Sequence, residues 1–497
     1  MIPAPFMKFF VILVLSSFVH MGISSAENVI KPNIVYILCD DLGYGDIHCL
    51  NPDRSKVKTP QADRLAEQGM TFTDAHSSSS VCTPTRYTVL TGRYNWRTKL
   101  QKGVLMGYGK PLIDRERLTV PGMLKQAGYH TACIGKWHLG LNFGETKGKR
   151  DLSKPIADGP VDRGFDYYYG ISASLDMPPY AYIKDRQFTQ ALTTEKKWVR
   201  KGAAAEDFEA VDVLPELTKK ACAYIADRAK KDAPFFLYLP LASPHTPVVP
   251  TKEWQGKSEI GPYGDFVMQT DWALGQVVKA IDDAGIADNT LVVFTSDNGC
   301  APYVGVKEFE AKGHYPSANL RGYKADVWDG GHRVPFIVRW KGKVKAGSQY
   351  DGTVCLADLM ATSADLVGVK LPDNAGEDSV SMLPAMVGET TESLREGTVH
   401  HSFGGNFAIR KGKWKLIFCA GSGGWAKPRD KEALKQGLPK VQLYDMDADI
   451  GEKTNLQAKH PEVVAELTQL LETYIANGRS TAGLKLKNDA PIKIWKN

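Results

Sequence analysis

The stretch Ile34-Val35-Tyr36-Ile37-Leu38-Cys39-Asp40-Asp41 carries the reading of the fold. Five branched or aromatic apolar residues in a row leave no polar face, the pattern of a strand covered on both sides. The run then ends on two carboxylates. Similar short runs recur at Thr131 to Ile134, Phe235 to Leu239, Leu291 to Phe294 and Phe336 to Val338. Helical patterns lie between them at Gln61 to Gln68, Val120 to Ala127, Leu217 to Lys230 and Asp265 to Asp283. Strands alternating with helices predict an α/β fold, a large, mostly parallel mixed sheet flanked by helices.

From about residue 400 the texture changes. Phe407 to Arg410 and Trp414 to Phe418, joined through Lys411-Gly412-Lys413, read as an antiparallel hairpin. A glycine-rich loop, the run Val441 to Tyr444 and a helix from Pro461 to Ala476 follow. The expected organisation is a leader over residues 1–26, a catalytic domain over 27–385, and a smaller C-terminal α+β subdomain with an antiparallel sheet over 386–497.

The leader rests on Lys8, the apolar run Phe9 to Leu15, and the small residues Ser24-Ser25-Ala26 before Glu27. This is the order of a signal peptide, so a periplasmic or secreted protein is expected; a retained N-terminal anchor is the alternative. The run is short for a bilayer and no comparable one follows, so no stable transmembrane span is expected after processing. The 62 basic and 56 acidic residues leave a charge of +6 without a basic arm or stripe, which argues against nucleic acid as a partner. The eight cysteines are scattered and lack the close pairs of a zinc site; at most one or two disulfides are expected, and one cysteine is expected to be special.

Chemistry collects where the strands end. The first run leads into Asp40-Asp41, the fourth into Asp297-Asn298, the second into Lys136 and His138, and the third towards His245. In an open parallel sheet these ends share one edge, where ligands bind. Asp40, Asp41, Asp297 and Asn298 make an all-oxygen set suited to a hard divalent cation, Ca²⁺ ahead of Mg²⁺. Either pair alone reads as turn chemistry. Together they would repel without a cation between them. The lysines and histidines suit an anionic substrate and a leaving group that needs a proton.

The most specific segment is Ser77 to Arg93, SSSSVCTPTRYTVLTGR. Thr83 is expected to cap a helix that Pro84 opens, placing Cys82 at the positive end, where a thiolate or an anion is stabilised. Arg86 follows one turn later.

With this segment the sequence resembles the formylglycine-dependent sulfatases, arylsulfatase-like members of the alkaline phosphatase superfamily. Cys82-Thr83-Pro84-Thr85-Arg86 matches their C-x-P-x-R signature, and Thr91-Gly92-Arg93 its continuation. Gly135 to Gly140, Ser243-Pro244-His245, Thr295 to Gly299, Arg321 to Pro335 with Lys324, and Gln442 to Leu456 match in the same order. Asp329 stands where glutamate is usual. The resemblance implies an alkaline phosphatase-like fold and a sulfuric ester hydrolase. Cys82 would be converted to formylglycine by a maturation enzyme, and its hydrate would attack sulfur. Asp40, Asp41, Asp297, Asn298 and residue 82 would hold Ca²⁺. Asp297 would serve as base, Lys136 and Lys324 would bind sulfate, Arg86 and His138 would steady the formylglycine, and His245 would protonate the departing oxygen.

Specificity is expected from loops around the crevice. Asp176, Tyr180 and Arg186 in one segment, and His314 and Tyr315 in another, carry groups suited to a sugar ring. Sulfated carbohydrate is the expected substrate, with synthetic aryl sulfates also turned over. The alternatives are a phosphoester hydrolase of the same superfamily and a non-catalytic Ca²⁺-dependent polyanion-binding protein.

Overall fold

In the computed structural model, which describes residues 1–4 and 31–496, the opening run becomes β1 (Asn33–Asp40), with all eight side chains buried. It joins β2 (Met70–Phe72), β3 (His130–Lys136), β4 (Tyr167–Ile171), β5 (Ile183–Lys184), β6 (Gln187–Phe188), β7 (Phe235–Pro244), β8 (Thr290–Ser296), β9 (Phe336–Arg339) and β10 (Ser348–Tyr350). These form one ten-stranded sheet in the order β10-β2-β9-β8-β1-β7-β3-β4-β5-β6. The central block β8-β1-β7-β3-β4 is wholly parallel, with Ile34 beside both Phe236 and Leu291. The block's carboxyl ends therefore share one edge. Phe336 to Val338 is a buried strand, but β9 runs antiparallel to β8, with Phe336 opposite Thr295.

Both faces of β1 are covered. Ile34, Tyr36 and Leu38 pack in one cluster with Val89 and Leu90 of α2 (Cys82–Thr91) and Leu124 of α3 (Val120–Gln126). Val35, Ile37 and Cys39 pack on the other face with Leu65 of α1 (Pro60–Glu67), Leu217 of α4 (Val213–Arg228) and Leu274 of α5 (Pro262–Asp283). Each buried branched side chain contributes roughly 1.5–3 kcal/mol, which explains why the strand is apolar from Ile34 to Cys39, between Asn33 and Asp40. At the end of α2, Gly92 takes φ +62 and lies against Met360, so a Cβ there would be strained and obstructed.

A second sheet is antiparallel, in the order β11 (Thr398–His401), β12 (Phe407–Lys411), β13 (Trp414–Ile417), β14 (Gln442–Asp445). Leu467 and Leu471 of α6 (Pro461–Asn477) cover it together with Val399, Ile409, Leu416 and Leu443. The described residues from Lys31 onward form one compact unit. Apart from residues 1–4, the expected leader lies outside the described residues. Among those described, no helix is long and apolar enough to cross a membrane. All eight cysteines are free thiols.

Candidate active site

Cys82 is the first residue of α2, two positions earlier than the proline pattern implies. Val81 is the extended residue before the helix, and Thr83 does not cap it; the Thr83 hydroxyl accepts instead from the Leu105 amide at 3.2 Å. Nor does the helix end favour a thiolate. Burial pushes the Cys82 thiol up to about 11, outweighing Lys136 and Lys324, which pull it down. An unmodified Cys82 is thus a neutral, weak nucleophile.

Around it the four strand ends meet. Lys136 Nζ lies 2.5 Å from Asp40 Oδ2. Lys324 Nζ lies 2.6 and 2.7 Å from the two Asp41 oxygens. Arg86 reaches Asp297 Oδ2 through Nε at 2.9 Å and Nη2 at 2.8 Å, and sits 3.7 Å from Asp40 Oδ1. All six charged side chains are essentially inaccessible to water. Burial alone would raise the Asp40 carboxyl, but Lys136, helped by His245, Arg86 and Lys324, holds it well below the usual range. Burial, with the Asp40 charge beside it, raises Asp297 instead. Lys324 stays protonated because Asp41 outweighs its desolvation. Backbone strain collects at the same place: Asp41, His138 and Ala325 have φ of +64°, +56° and +80°.

The donor set fits a hard cation. Asp40 Oδ1 and Asn298 Oδ1 are buried acceptors without a hydrogen-bond donor. Asn298 has already turned its Nδ2 to Asp41 Oδ1 at 2.8 Å, which leaves its oxygen facing away from that bond. Asp40, Cys82 and Asp297 bring one ligand atom each to within 4.8 Å of one another, and so do Asp40, Asp41 and His245. Unpaired carboxylate and amide oxygens converging in a dry site are what Ca²⁺ or Mg²⁺ prefers.

Neighbours fix the tautomers of both histidines. His138 donates from Nε2 to the Leu105 carbonyl at 2.7 Å, so Nδ1 is a bare, buried acceptor. Burial and Lys136 hold the ring neutral. His245 donates from Nδ1 to the Thr246 carbonyl at 2.6 Å, so any added proton enters on Nε2, 3.6 Å from Asp41 Oδ2. Burial, followed by Lys324, lowers its basicity.

Most of the residues expected to meet a sugar lie elsewhere. Arg186 sits in the β5–β6 turn and pairs with Asp162 at 2.6 and 2.8 Å. Because β5 returns antiparallel from β4, this turn lies near the start of β4, opposite the edge that carries Asp40 and Asp297. Tyr180 is buried, edge-on to Trp198 at 4.7 Å, with its hydroxyl on the Arg200 carbonyl. His314 is fully buried; its ring nitrogens meet Asp46 Oδ1 at 2.8 Å and the Lys56 amide at 3.1 Å, leaving none for a ligand. Tyr315 lies under the Arg54 guanidinium, 3.4 Å from its ring centre. Only Asp176 faces the crevice; it pairs with Arg200, and its Oδ1 is buried without a partner.

Two groups escaped the sequence reading. Asp74, His76, His332 and His400 form a buried polar cluster behind α2, with His76 Nε2 2.8 Å from Asp74 and His332 stacked on His400 at 4.1 Å. There Lys415 Nζ joins Asp329 Oδ1 at 2.6 Å to Glu452 at 2.8 Å, while Asp329 Oδ2 has no hydrogen-bond partner and only Arg333 near it, at 3.7 Å. His76, His332 and His400 are spaced far apart along the chain and gave no periodic signal for this cluster. The other group, Tyr303, Phe403 and Trp425, is brought together only by the fold.

A model of the family described as Sulfatase matches residues 32–369. The chain is 35% identical to N-acetylgalactosamine-6-O-sulfatase of Bacteroides thetaiotaomicron, over 90% of this chain and 94% of that protein. It is 33% identical to human arylsulfatase A, over 88% and 87% respectively. A solved sulfatase from work on metabolism of multiple glycosaminoglycans by Bacteroides thetaiotaomicron superposes with a TM-score of 0.79 at 34% identity, covering 89% of this chain and 99% of that one.

Proposed function

We propose that this chain, which belongs to the sulfatase family and is a sulfuric ester hydrolase, removes sulfate from carbohydrates through a formylglycine made from Cys82. The observation that carries the reading is the gathering of Cys82, Asp40 and Asp297 ligand atoms within 4.8 Å, flanked by Lys136 and Lys324. A neutral thiol pushed up to about 11 is poorly suited to attack an anionic ester, whereas an aldehyde hydrate at the same position carries two hydroxyls on one carbon. One hydroxyl bonds to sulfur as the alcohol leaves; deprotonation of the other restores the aldehyde and expels sulfate.

Asp40, Asp41, Asp297 and Asn298, with residue 82, would hold Ca²⁺, with Mg²⁺ the second choice; such a cation supplies Lewis-acid stabilisation for the charge on the ester. The chain's own groups do the rest. Asp297, raised by burial and by Asp40, takes the proton of the attacking hydroxyl. Lys136 and Lys324 bind sulfate oxygens. Arg86 orients Asp297, and the bare Nδ1 of His138 accepts from a hydroxyl at residue 82. His245, its Nδ1 committed to Thr246, delivers a proton from Nε2 to the departing oxygen once an anion beside it has raised its basicity. Export through the leader, to the periplasm or beyond, and conversion of Cys82 by a formylglycine-generating enzyme belong to the same reading.

The relative named for N-acetylgalactosamine 6-sulfate makes that ester the first to assay. Co-expression with a formylglycine-generating enzyme should give an aldehyde at residue 82 by peptide mass, and sulfate release proportional to the converted fraction. Faster release of phosphate from the matching phosphate ester would favour a phosphoester hydrolase. Binding without turnover at a fully converted residue 82 would favour a polyanion-binding protein.

A further inference from the structure

We propose that Tyr303, Trp425 and Phe403 form an aromatic subsite that stacks on a sugar ring of the substrate beside Lys324; the proposal rests on the sulfatase reading above. The three rings come from separate segments. Tyr303 follows β8, Phe403 follows β11, and Trp425 lies in the glycine-rich loop after β13. Trp425 is the hub, with ring centres 5.8 Å from Tyr303 and 5.4 Å from Phe403.

The platform is tied to the sulfate-binding lysine through its neighbours. The Lys324 amide donates to the Cys300 carbonyl at 2.9 Å, three residues before Tyr303. The Phe403 amide donates to the Ala325 carbonyl at 3.0 Å. Asp326 accepts from the amides of Trp425 at 2.8 Å and Ala426 at 2.9 Å. Gly424 allows the close approach, since a Cβ there would lie 2.2 Å from the Ala325 oxygen. The Tyr303 hydroxyl is close enough to Lys324, Asp41 and Asp176 for their charges to act on it.

The rings are not packed away. Tyr303 is 54% exposed, and Trp425 and Phe403 are half-buried. Apolar side chains gathered at the mouth of a charged pocket mark a binding surface. Its occupant is a pyranose, which offers an apolar C–H face to the rings and hydroxyls to Asp176 Oδ1 and the Tyr303 hydroxyl. Sulfate in the charged pocket would leave the attached sugar at this mouth.

Calorimetry on the full-length chain with Cys82 unconverted tests this without turnover, using inorganic sulfate and a sulfated disaccharide as probes. Trp425→Ala and Tyr303→Ala should each weaken the disaccharide about tenfold and leave sulfate within about threefold, while Trp425→Phe keeps most of the affinity. Parallel loss of both probes, or unchanged disaccharide affinity in correctly folded variants, would overturn the subsite. If the disaccharide binds through Trp425 but the converted enzyme releases no sulfate, the catalytic reading fails and the subsite stands.

Discussion

Lys136 Nζ and Asp40 Oδ2 lie 2.5 Å apart, and neither side chain is exposed. Two opposite charges held this way in a dry pocket depend on one another. Replacing one alone strands the other in low dielectric, at a cost of about 3–5 kcal/mol.

Lys136→Met should therefore lower stability by about 3–5 kcal/mol and reduce turnover on the order of 10²–10³-fold. Lys136→Met combined with Asp40→Asn should recover much of the stability and none of the activity. Urea unfolding of the single and double variants, read with sulfate release, checks both halves. Additive destabilisation would contradict the pairing.

Asn298 Oδ1 and Asp40 Oδ1 are unpartnered buried oxygens of the site. Removing divalent cations by chelation should abolish turnover, and Ca²⁺ should restore it better than Mg²⁺. Saturating Ca²⁺ at about 100 times its Kd should add about 2.7 kcal/mol of stability. Asn298→Ala should shrink that gain, so a full Ca²⁺-dependent rise in Tm in this variant would remove the residue from the ligand set.

Asp271 of α5 accepts from the amides of Gln61 at 3.0 Å and Ala62 at 2.8 Å, tying α1 to α5. Burial pushes its carboxyl up to about 7. The folded chain thus holds this proton more tightly than the unfolded chain, whose carboxyl titrates near 3.9. Its contribution is fully present at lower pH and is lost as pH rises from about 4 through about 7. Asp271→Asn should gain about 2–4 kcal/mol relative to the parent on going from pH 4.5 to 7.5. A stability difference between the two proteins that does not change with pH would rule this out.

His314 and Asp176 should part company. His314→Ala removes a partner of the buried Asp46 carboxylate, which also accepts from Tyr263 at 2.6 Å and Gly43 at 2.8 Å. About 1–3 kcal/mol of stability should be lost, with KM for a sulfated sugar unchanged. Asp176→Asn should leave stability within about 1 kcal/mol, because its partner Arg200 is half in water. It should raise KM for sulfated sugars. Steady-state kinetics beside thermal unfolding separates the two outcomes.

The residues of the strand-end edge were legible because each followed a run that had to be buried. Ile34 to Leu38 and Leu291 to Phe294 have no polar position, so they are interior strands, and parallel interior strands deliver Asp40, Asp41, Asp297 and Asn298 to one edge. Cys82 was legible from its spacing to Pro84 and Arg86. The loop residues were not, because chemistry suited to a sugar does not say where a loop lies. Arg186 was carried to the opposite edge by one antiparallel return, and His314 was drawn inward by Asp46.

The sequence by itself determined the parallel α/β core, the residues at its strand-end edge and the family, since apolar patterning and spacing are local properties of the chain. The tertiary structure alone decided how the charges pair, with Lys136 on Asp40, Lys324 on Asp41 and Arg86 on Asp297. It also decided the tautomers of His138 and His245 and the meeting of Tyr303, Phe403 and Trp425. Apart from the bond between the neighbours His245 and Thr246, these depend on contacts between residues tens to hundreds of positions apart, where a few ångströms and the exclusion of water set the energy, and no local pattern encodes either.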